Sequence, residues 1–424
     1  MKILLVQSYL GSSESPVFPL GLSCLKAALV GHDVRVFDLN TSARPFEELR
    51  ELLGVFRPQV AGISLRNIDS TNKRNVVFYY PHLKEAVAAV KDASLAKVVV
   101  GGSGFSMFAR EIMEDLPTID LGLFLEGEHT FPQLIENLDR PGTVPSVFYR
   151  ENGAIRFSGP GEHVDLDALP FPDRTIVDSC SYTGSSEGIG VETKRGCMLD
   201  CFYCIYGFLN GKKLRLRSPA RVADEIESLV AEHGVRRFIF VDSVFNIPLD
   251  HAESVCTELI RRSVKVEWSA WFNEKNISRG FIELARDAGC RNVILSPDCF
   301  SDESLRQCGK NIRMDDIFRS YQVIKAVEGI EVSYNFFKNP PGQTFGAFLS
   351  LVAFIARARW ELGRRVHFEF SSMRIEPHTG LHRLAIEEGI IKEGENLLLP
   401  RYYTQKSTRY LEQLFNGILR LKGR

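Results

Sequence analysis

Between Arg195 and Tyr206 the chain reads Arg-Gly-Cys-Met-Leu-Asp-Cys-Phe-Tyr-Cys-Ile-Tyr, which sets Cys197, Cys201 and Cys204 in a CxxxCxxC array. Cysteine thiolates are the usual ligands of iron–sulfur clusters, and three of them can hold three irons of a 4Fe–4S cube. The fourth iron is then left for a small molecule that can bind there and receive an electron. Zinc asks for a fourth protein ligand, and His163 and His233, which flank the array, stand far from zinc-finger spacing. A closed electron-transfer cluster asks for a fourth cysteine. Cys180 lies upstream of the array and would have to fold back to supply it. Three buried thiols without metal suit a core better than a polar loop that opens on a glycine. The pattern favours a cluster with one open iron.

Other residues near or beyond the array have plainer readings. Lys194 and Arg195 stand next to it and would offset the cluster's negative charge or meet a carboxylate. Arg215 and Arg217 read as surface charges. Cys290, Cys299 and Cys308 recur every nine residues. They fall on a helix end, a strand-end loop and a helix, so buried or free thiols suit them better than a second cluster. Tyr334, Trp268 and Trp271 read as core filling.

The elements that must position the array follow from periodicity. Over residues 1–140 strand and helix alternate, which implies a parallel sheet covered on both faces. Strands are expected at Lys2–Gln7, Val34–Asp38, Val60–Leu65, Val98–Val100 and Leu121–Leu125. Helices are expected at Leu20–Val30, Phe46–Phe56 and Lys84–Lys91. This is an α/β fold, a doubly wound, Rossmann-like open sheet whose ligands bind beyond the strands' carboxyl ends. Residues 141–188 read as a linker with a hairpin about Asn152-Gly153, and Ser181–Gly188 as a Ser/Gly-rich loop.

The alternation restarts over residues 189–385, with strands expected at Gly190–Thr193, Phe238–Val241, Val266–Ala270, Val293–Leu295, Val332–Phe336 and Val366–Phe370. Six such units make a partial (β/α)6 barrel, three quarters of the eight-fold version. The cysteine array directly follows the first barrel strand, at the carboxyl end where barrel chemistry sits. Residues 386–424 read as a short helical C-terminal cap.

Composition narrows the function classes. A chain of 424 residues exceeds one ordinary core. Its formal net charge of -1, without long runs of one sign, gives no reason to expect nucleic acid. The apolar run at the N-terminus is too short for a signal peptide, and the segment Phe345 to Ala356 falls short of a membrane span. Nine cysteines without a secretion signal point to a reducing, cytoplasmic setting.

The array, with aromatic Tyr203 before its last cysteine, resembles the radical SAM superfamily. In that superfamily the open iron binds S-adenosyl-L-methionine, and an electron from the cluster frees a 5′-deoxyadenosyl radical. A doubly wound domain before the barrel is similar to the cobalamin-dependent radical SAM class, many of whose members are methyltransferases. Further likenesses are Ile63-Ser64-Leu65, Gly101-Gly102-Ser103 and Glu126-Gly127-Glu128 at strand ends of the first domain. The stretches from Phe240 to Asn246 and from Arg374 to Gly380 add to them. The resemblance implies a 4Fe–4S cluster on Cys197, Cys201 and Cys204. It implies S-adenosyl-L-methionine contacts at Tyr203, Asp242, Ser243, Ser296, Asn335 and Arg374. It also implies cobalamin contacts at Ser64, Leu65, Arg66, Asn67, Gly101, Gly102, Ser103, Glu126 and Gly127. One departure stands out: the Asp-x-His pair that supplies a cobalt-binding histidine in many cobalamin domains is absent from the whole chain. A bound corrin is then expected without a histidine below it, with Arg66 or Asn67 near that face. The expected activity is methylation of an unactivated carbon of a small molecule, with an electron donor such as flavodoxin or ferredoxin. Cyclisation, rearrangement or oxidation without methyl transfer is the alternative enzyme, and a non-catalytic iron–sulfur or corrin sensor ranks below both.

Overall fold

The protein is described from a computed structural model covering residues 1–12, 14–182 and 188–422. The expected Ser/Gly-rich loop lies largely outside the described residues. Contacts divide the chain into two compact units. One comprises residues 1–70 and 75–190, and the other residues 71–74 and 191–424.

The first unit carries β1 (Lys2–Gln7), β2 (Asp33–Asp38), β3 (Val60–Ser64), β4 (Lys97–Gly101), β5 (Leu121–Leu123), β6 (Val147–Glu151) and β7 (Ala154–Phe157). They form one sheet in the order β2-β1-β3-β4-β5-β6-β7. The first five strands are parallel. Their apolar runs Ile3–Val6 and Val98–Val100 are almost fully buried, because helices cover both faces of such a sheet. The strand order reverses between β1 and β3, which opens a crevice at the carboxyl ends of those two strands. All five expected strands are present. Three short helices, Ser103–Met107, Ala109–Asp115 and Thr130–Glu136, arise where no clear period announces them.

The hairpin expected inside a linker is instead the edge of this sheet. β6 pairs antiparallel with β5, and β7 with β6. The apolar side of the hairpin requires this: Phe148 stacks on Phe157 at 4.7 Å and meets Phe124 edge-on at 5.8 Å. The segment that follows also folds back onto the first unit. Tyr182 donates to buried Asp38 at 2.6 Å, and Lys26 pairs with Asp173 at 3.0 Å.

The second unit begins with β8 (Gly190–Val191), β9 (Lys194–Arg195) and β10 (Arg215–Leu216). β11 (Arg237–Phe240), β12 (Glu267–Phe272), β13 (Cys290–Asp298), β14 (Glu331–Phe337) and β15 (Val366–Ser371) follow. Six of these strands form the second sheet, in the order β15-β14-β13-β12-β11-β8. All six strands expected of the partial barrel are therefore present, and helices alternate with them. Aromatic side chains fill one layer of this unit. Trp268 meets Phe240 and Phe245 at 5.0 Å, and Tyr334 meets Phe354 at 5.4 Å. Trp268 and Tyr334 are core residues at 1% and 0% exposure. The cap is a two-stranded ribbon, β16 (Met373–Arg374) with β17 (Tyr402–Tyr403), and the helices Gly380–Glu387 and Arg409–Lys422. Among the described residues no helix is long and apolar enough to cross a membrane.

Candidate cofactor-binding and active site

The cysteine array occupies a loop that leaves the sheet through β9 and returns through β10, the two pairing antiparallel. Gly196 opens the loop at φ +102°, and a Cβ there would stand 2.2 Å from the Lys213 carbonyl oxygen. Only glycine allows that closure. The Cys197 N–H donates to Gly211 O at 2.9 Å, and the Lys212 ammonium holds Leu199 O at 2.5 Å and Asp200 at 2.8 Å. From the far side the Phe202 N–H donates to Cys308 O at 3.2 Å, and Leu381 N–H donates to Phe202 O at 3.0 Å. The loop is thus pinned by the segments beyond β13 and β16. A cleft beside it is lined by Cys197, Met198, Leu199, Leu214, Val244 and Ile247.

The three thiols are half-buried and free, and close enough to act on one another electrostatically. Burial pushes Cys204 up to about 12 and raises Cys201, which Lys310 partly opposes. Among the described residues no three His, Cys, Asp or Glu converge on a single ion. In a cube each thiolate meets a different iron, so the three thiols need not converge on one point. Three neighbouring thiols, with no fourth cysteine beside them among the described residues, fit a cluster with one open iron; the side chain of Cys180 lies outside the described residues.

A buried ionic network supports the array from β13. The ladder between β13 and β14 is irregular between Leu295 and Asp298, and Asp298 sits at φ +66°. Such irregularities re-aim side chains next to active sites. Here Asp298 accepts from the Tyr203 hydroxyl and pairs with Lys310 at 2.7 Å. Lys310 also donates to Ser296 O at 2.6 Å. Glu274, just past β12, is 2% exposed and burial lifts its pKa to about 7, with Lys310 pulling it back down. Its Oε1 makes no hydrogen bond. Sequence reasoning missed Asp298, Lys310 and Glu274. For Asp298 a signal existed, an acid ending a strand after Ser296-Pro297. For Lys310 there was none.

The residues expected around S-adenosyl-L-methionine fall into two groups. Asn335 Nδ2 donates to the Ser296 hydroxyl at 3.3 Å, while the buried Asn335 Oδ1 has no hydrogen-bond partner. That orphaned acceptor beside the cluster loop suits a donor on a polar ligand. Tyr203 packs its ring on Phe337 at 4.9 Å, and Ser243 stands 3.5 Å from Asn210. Asp242 is engaged internally. It pairs with Lys194 at 2.9 Å, accepts from the Thr193 N–H at 2.8 Å, and both partners of the ion pair are buried. Arg374 is engaged too, on Glu376 at 2.6 Å and Leu397 O at 3.1 Å. The surface reading of Arg217 requires correction. It is buried and paired with Glu225 at 2.7 Å, because its guanidinium also closes the loop on Glu192 O. Cys290, Cys299 and Cys308 are buried free thiols, as expected of them.

In the first unit the expected corrin contacts gather at the carboxyl ends of β3 and β4. The Leu65 N–H donates to Gly101 O at 2.8 Å, and the Gly104 N–H donates to Leu65 O at 2.9 Å. A Cβ on Gly102, at φ +96°, would lie 2.6 Å from Leu65 O, and one on Gly104 would lie 2.9 Å from it. The turn after β4 thereby packs backbone on backbone against the end of β3, as a ledge, and the Ser103 hydroxyl holds Arg66 O at 2.7 Å. Arg66 and Asn67 are exposed above it. Gly127 approaches Leu25 so closely that a Cβ would lie 2.9 Å from its Cδ2, and Glu126 lies 3.8 Å from His163. Exposed Arg66 and Asn67 beside this turn, at the carboxyl ends of β3 and β4, stand where a corrin would be held.

Comparison with known proteins finds a family match in each unit. The B12 binding domain family matches residues 6–135, and the Radical SAM superfamily matches residues 191–355. The chain is similar to an uncharacterized methyltransferase of Pyrococcus horikoshii, 26% identical over 74% of this chain and 68% of that one. It is similar to the hopanoid C-3 methylase of Methylococcus capsulatus, 26% identical over 76% of this chain and 61% of that one. The fold matches that of the radical S-adenosylmethionine methyltransferase TsrM from Kitasatospora setae, solved with cobalamin and a 4Fe–4S cluster bound. The TM-score is 0.79 at 22% identity, covering 91% of this chain and 78% of that one.

Proposed function

We infer, from a B12 binding domain match followed by a Radical SAM match, that the chain is a cobalamin-dependent radical SAM methyltransferase acting on an unactivated carbon of a small molecule. The observation that carries this reading is the joint presence of two built sites. One is the three-thiol loop at the carboxyl end of the six-stranded sheet, and the other is the Gly102–Gly104 ledge of the first unit. The hopanoid C-3 methylase is named for carbon methylation, and the Pyrococcus horikoshii protein as a methyltransferase. Both support the reaction class rather than a substrate.

Cys197, Cys201 and Cys204 would hold the cluster, and the Ser296–Asn335 pair with its free acceptor would meet S-adenosyl-L-methionine. Leu65, Gly102, Ser103 and Gly104 would carry the corrin, with Arg66 or Asn67 in place of a histidine. When bound, the cluster supplies single electrons, S-adenosyl-L-methionine the group they cleave, and the corrin a transferable methyl group. The protein contributes placement and a dry surrounding. Tyr203, tied to Asp298, keeps the loop in register with β13. Lys310, paired with Asp298, would stand within electrostatic reach of Cys201 when the cluster is bound. A low-potential donor such as flavodoxin or ferredoxin in the cytoplasm would supply the electrons.

The test is anaerobic reconstitution with iron, sulfide and hydroxocobalamin, followed by S-adenosyl-L-methionine and a strong reductant. Methyl transfer predicts S-adenosylhomocysteine together with 5′-deoxyadenosine, and a corrin spectrum on the purified protein. 5′-Deoxyadenosine without S-adenosylhomocysteine would replace methylation by cyclisation, rearrangement or oxidation. A protein that consumes no S-adenosyl-L-methionine under any condition would end the enzymatic reading.

A further inference from the structure

Cys299 and Cys308 bring their sulfurs to 3.3 Å, and both are free and buried, at 2% and 0% exposure. Their backbones are held in place. Cys299 directly follows Asp298, the last residue of β13, and Cys308 closes the helix Asp302–Gln307. The Ser301 hydroxyl caps the start of that helix by accepting from the Ser304 N–H at 3.2 Å. At its end the Cys308 N–H donates to Ser304 O at 2.9 Å. The Ser304 hydroxyl in turn donates to Pro341 O at 2.8 Å. Cys290, nine residues before Cys299, turns its thiol elsewhere, to Asn292 O at 3.8 Å. The fold, rather than the nine-residue spacing, therefore makes the pair.

The two thiols stand behind the cluster loop. Cys308 O accepts from the Phe202 N–H at 3.2 Å, and a Cβ on Gly309 would lie 2.5 Å from Asp200 O. Asp298 precedes one cysteine, and Lys310 follows the other by two residues. The 2.7 Å ion pair and the two sulfurs thus bridge the same ends of one turn. A disulfide holds its sulfurs at about 2.05 Å, so these need close by only roughly 1.3 Å. Such a bond would hold covalently what the ion pair holds electrostatically.

We propose that Cys299 and Cys308 are a redox-active dithiol, oxidised by a low-molecular-weight disulfide to a Cys299–Cys308 bond that staples the turn behind the cluster loop. One cysteine thiolate attacks a sulfur of the small disulfide, whose S–S bond breaks. This releases one small thiol and leaves a mixed disulfide on the protein. The second cysteine then attacks the protein sulfur of that mixed disulfide, which forms the Cys299–Cys308 bond and releases the second small thiol. Two electrons pass from the protein to the small disulfide, and the two cysteine protons leave on the released thiols. Burial pushes the Cys299 thiol up, so thiolate is scarce and the exchange waits on local opening of the turn. The inference goes beyond the methyl-transfer reading, and no readout of its test needs S-adenosyl-L-methionine or a corrin.

The cluster-loaded protein is equilibrated anaerobically with mixtures of reduced and oxidised glutathione. Samples are quenched in acid, unfolded, alkylated and digested, and linked peptides are identified by mass. The Cys299–Cys308 link should predominate, titrate with a single midpoint and reverse with dithiothreitol. The oxidised protein should melt about 3 °C or more above the reduced one, since the bond restrains the unfolded chain. Hydrogen exchange of the peptide containing Phe202 should slow about threefold or more, because the staple restricts the opening that frees its N–H from Cys308 O. Cys299→Ala and Cys308→Ala should each form no link and show neither change, whereas Cys290→Ala should form the link as wild type does. Absence of the link at every glutathione ratio overturns the proposal, and so do links spread among the other cysteines. A link that leaves exchange at Phe202 unchanged overturns it as well, by removing the staple's hold on the cluster loop.

Discussion

Lys310 and Asp298 form an ion pair of 2.7 Å whose side chains are only 9% and 10% exposed. Asp298 also accepts from Tyr203, between Cys201 and Cys204, so this pair ties the cysteine loop to the end of β13. Its burial makes the network more consequential than any of the surface pairs, which are screened by water.

Lys310→Met should therefore be severe. It leaves Asp298 buried without its cation, a loss on the order of 3–5 kcal/mol. Denaturant unfolding of the full chain measures it. Lys310→Met combined with Asp298→Asn should cost less than the two single changes added, because the second change removes the stranded charge. Strict additivity would show that the residues are not coupled.

Asp242 presents a similar case with a sharper alternative. Its carboxylate meets Lys194, Thr193 and the backbone of both. Asp242→Asn should lower stability by roughly 3 kcal/mol or more by stranding the Lys194 ammonium. If Asp242 instead met S-adenosyl-L-methionine, the variant would lose affinity for it at near-normal stability. Unfolding and equilibrium binding, measured side by side, separate the two.

Glu274 should give the protein a distinctive pH dependence. Burial lifts its pKa from an ordinary 4.5 to about 7. Between those values the folded state holds a proton that the unfolded state releases, so stability falls as pH rises through that window. The contribution is fully present below the unfolded value and lost above the folded one. Glu274→Gln carries no such proton. Relative to wild type it should gain about 3 kcal/mol on passing from roughly pH 4 to pH 8, two and a half pKa units at 1.36 kcal/mol each. Unfolding midpoints across that range check the slope, and parallel curves would remove Glu274 as its source.

Gly102→Ala should damage the ledge proposed to carry the corrin. The added Cβ would meet Leu65 O at 2.6 Å in a conformation, φ +96°, that side chains avoid. The cost is of the order of 1–2 kcal/mol in stability, with displacement of the ledge. The visible spectrum of protein mixed with hydroxocobalamin should then report loss of bound corrin. Unchanged corrin uptake would move the binding site away from β3 and β4.

Much of this architecture was legible in the chain. The eleven parallel strands were visible because apolar runs between turn residues leave few alternatives, and Cys197, Cys201 and Cys204 because their spacing is local. The hairpin at Asn152-Gly153 was legible as a hairpin but not as part of the first sheet, since its partner β5 lies more than 20 residues upstream. Ser296 and Asn335 could be named from strand ends, whereas the commitment of Asp242 to Lys194 could not.

What the sequence by itself determined is the chemistry: a cysteine spacing and two alternating patterns are short-range properties, readable residue by residue. What only the tertiary structure decided is how charges are shared. Asp298, Lys310, Glu274, Asp242 and Lys194 are ordinary letters in the chain. Their roles come from burial and from partners brought together across long separations, where the low-dielectric interior makes each pairing, or its absence, count.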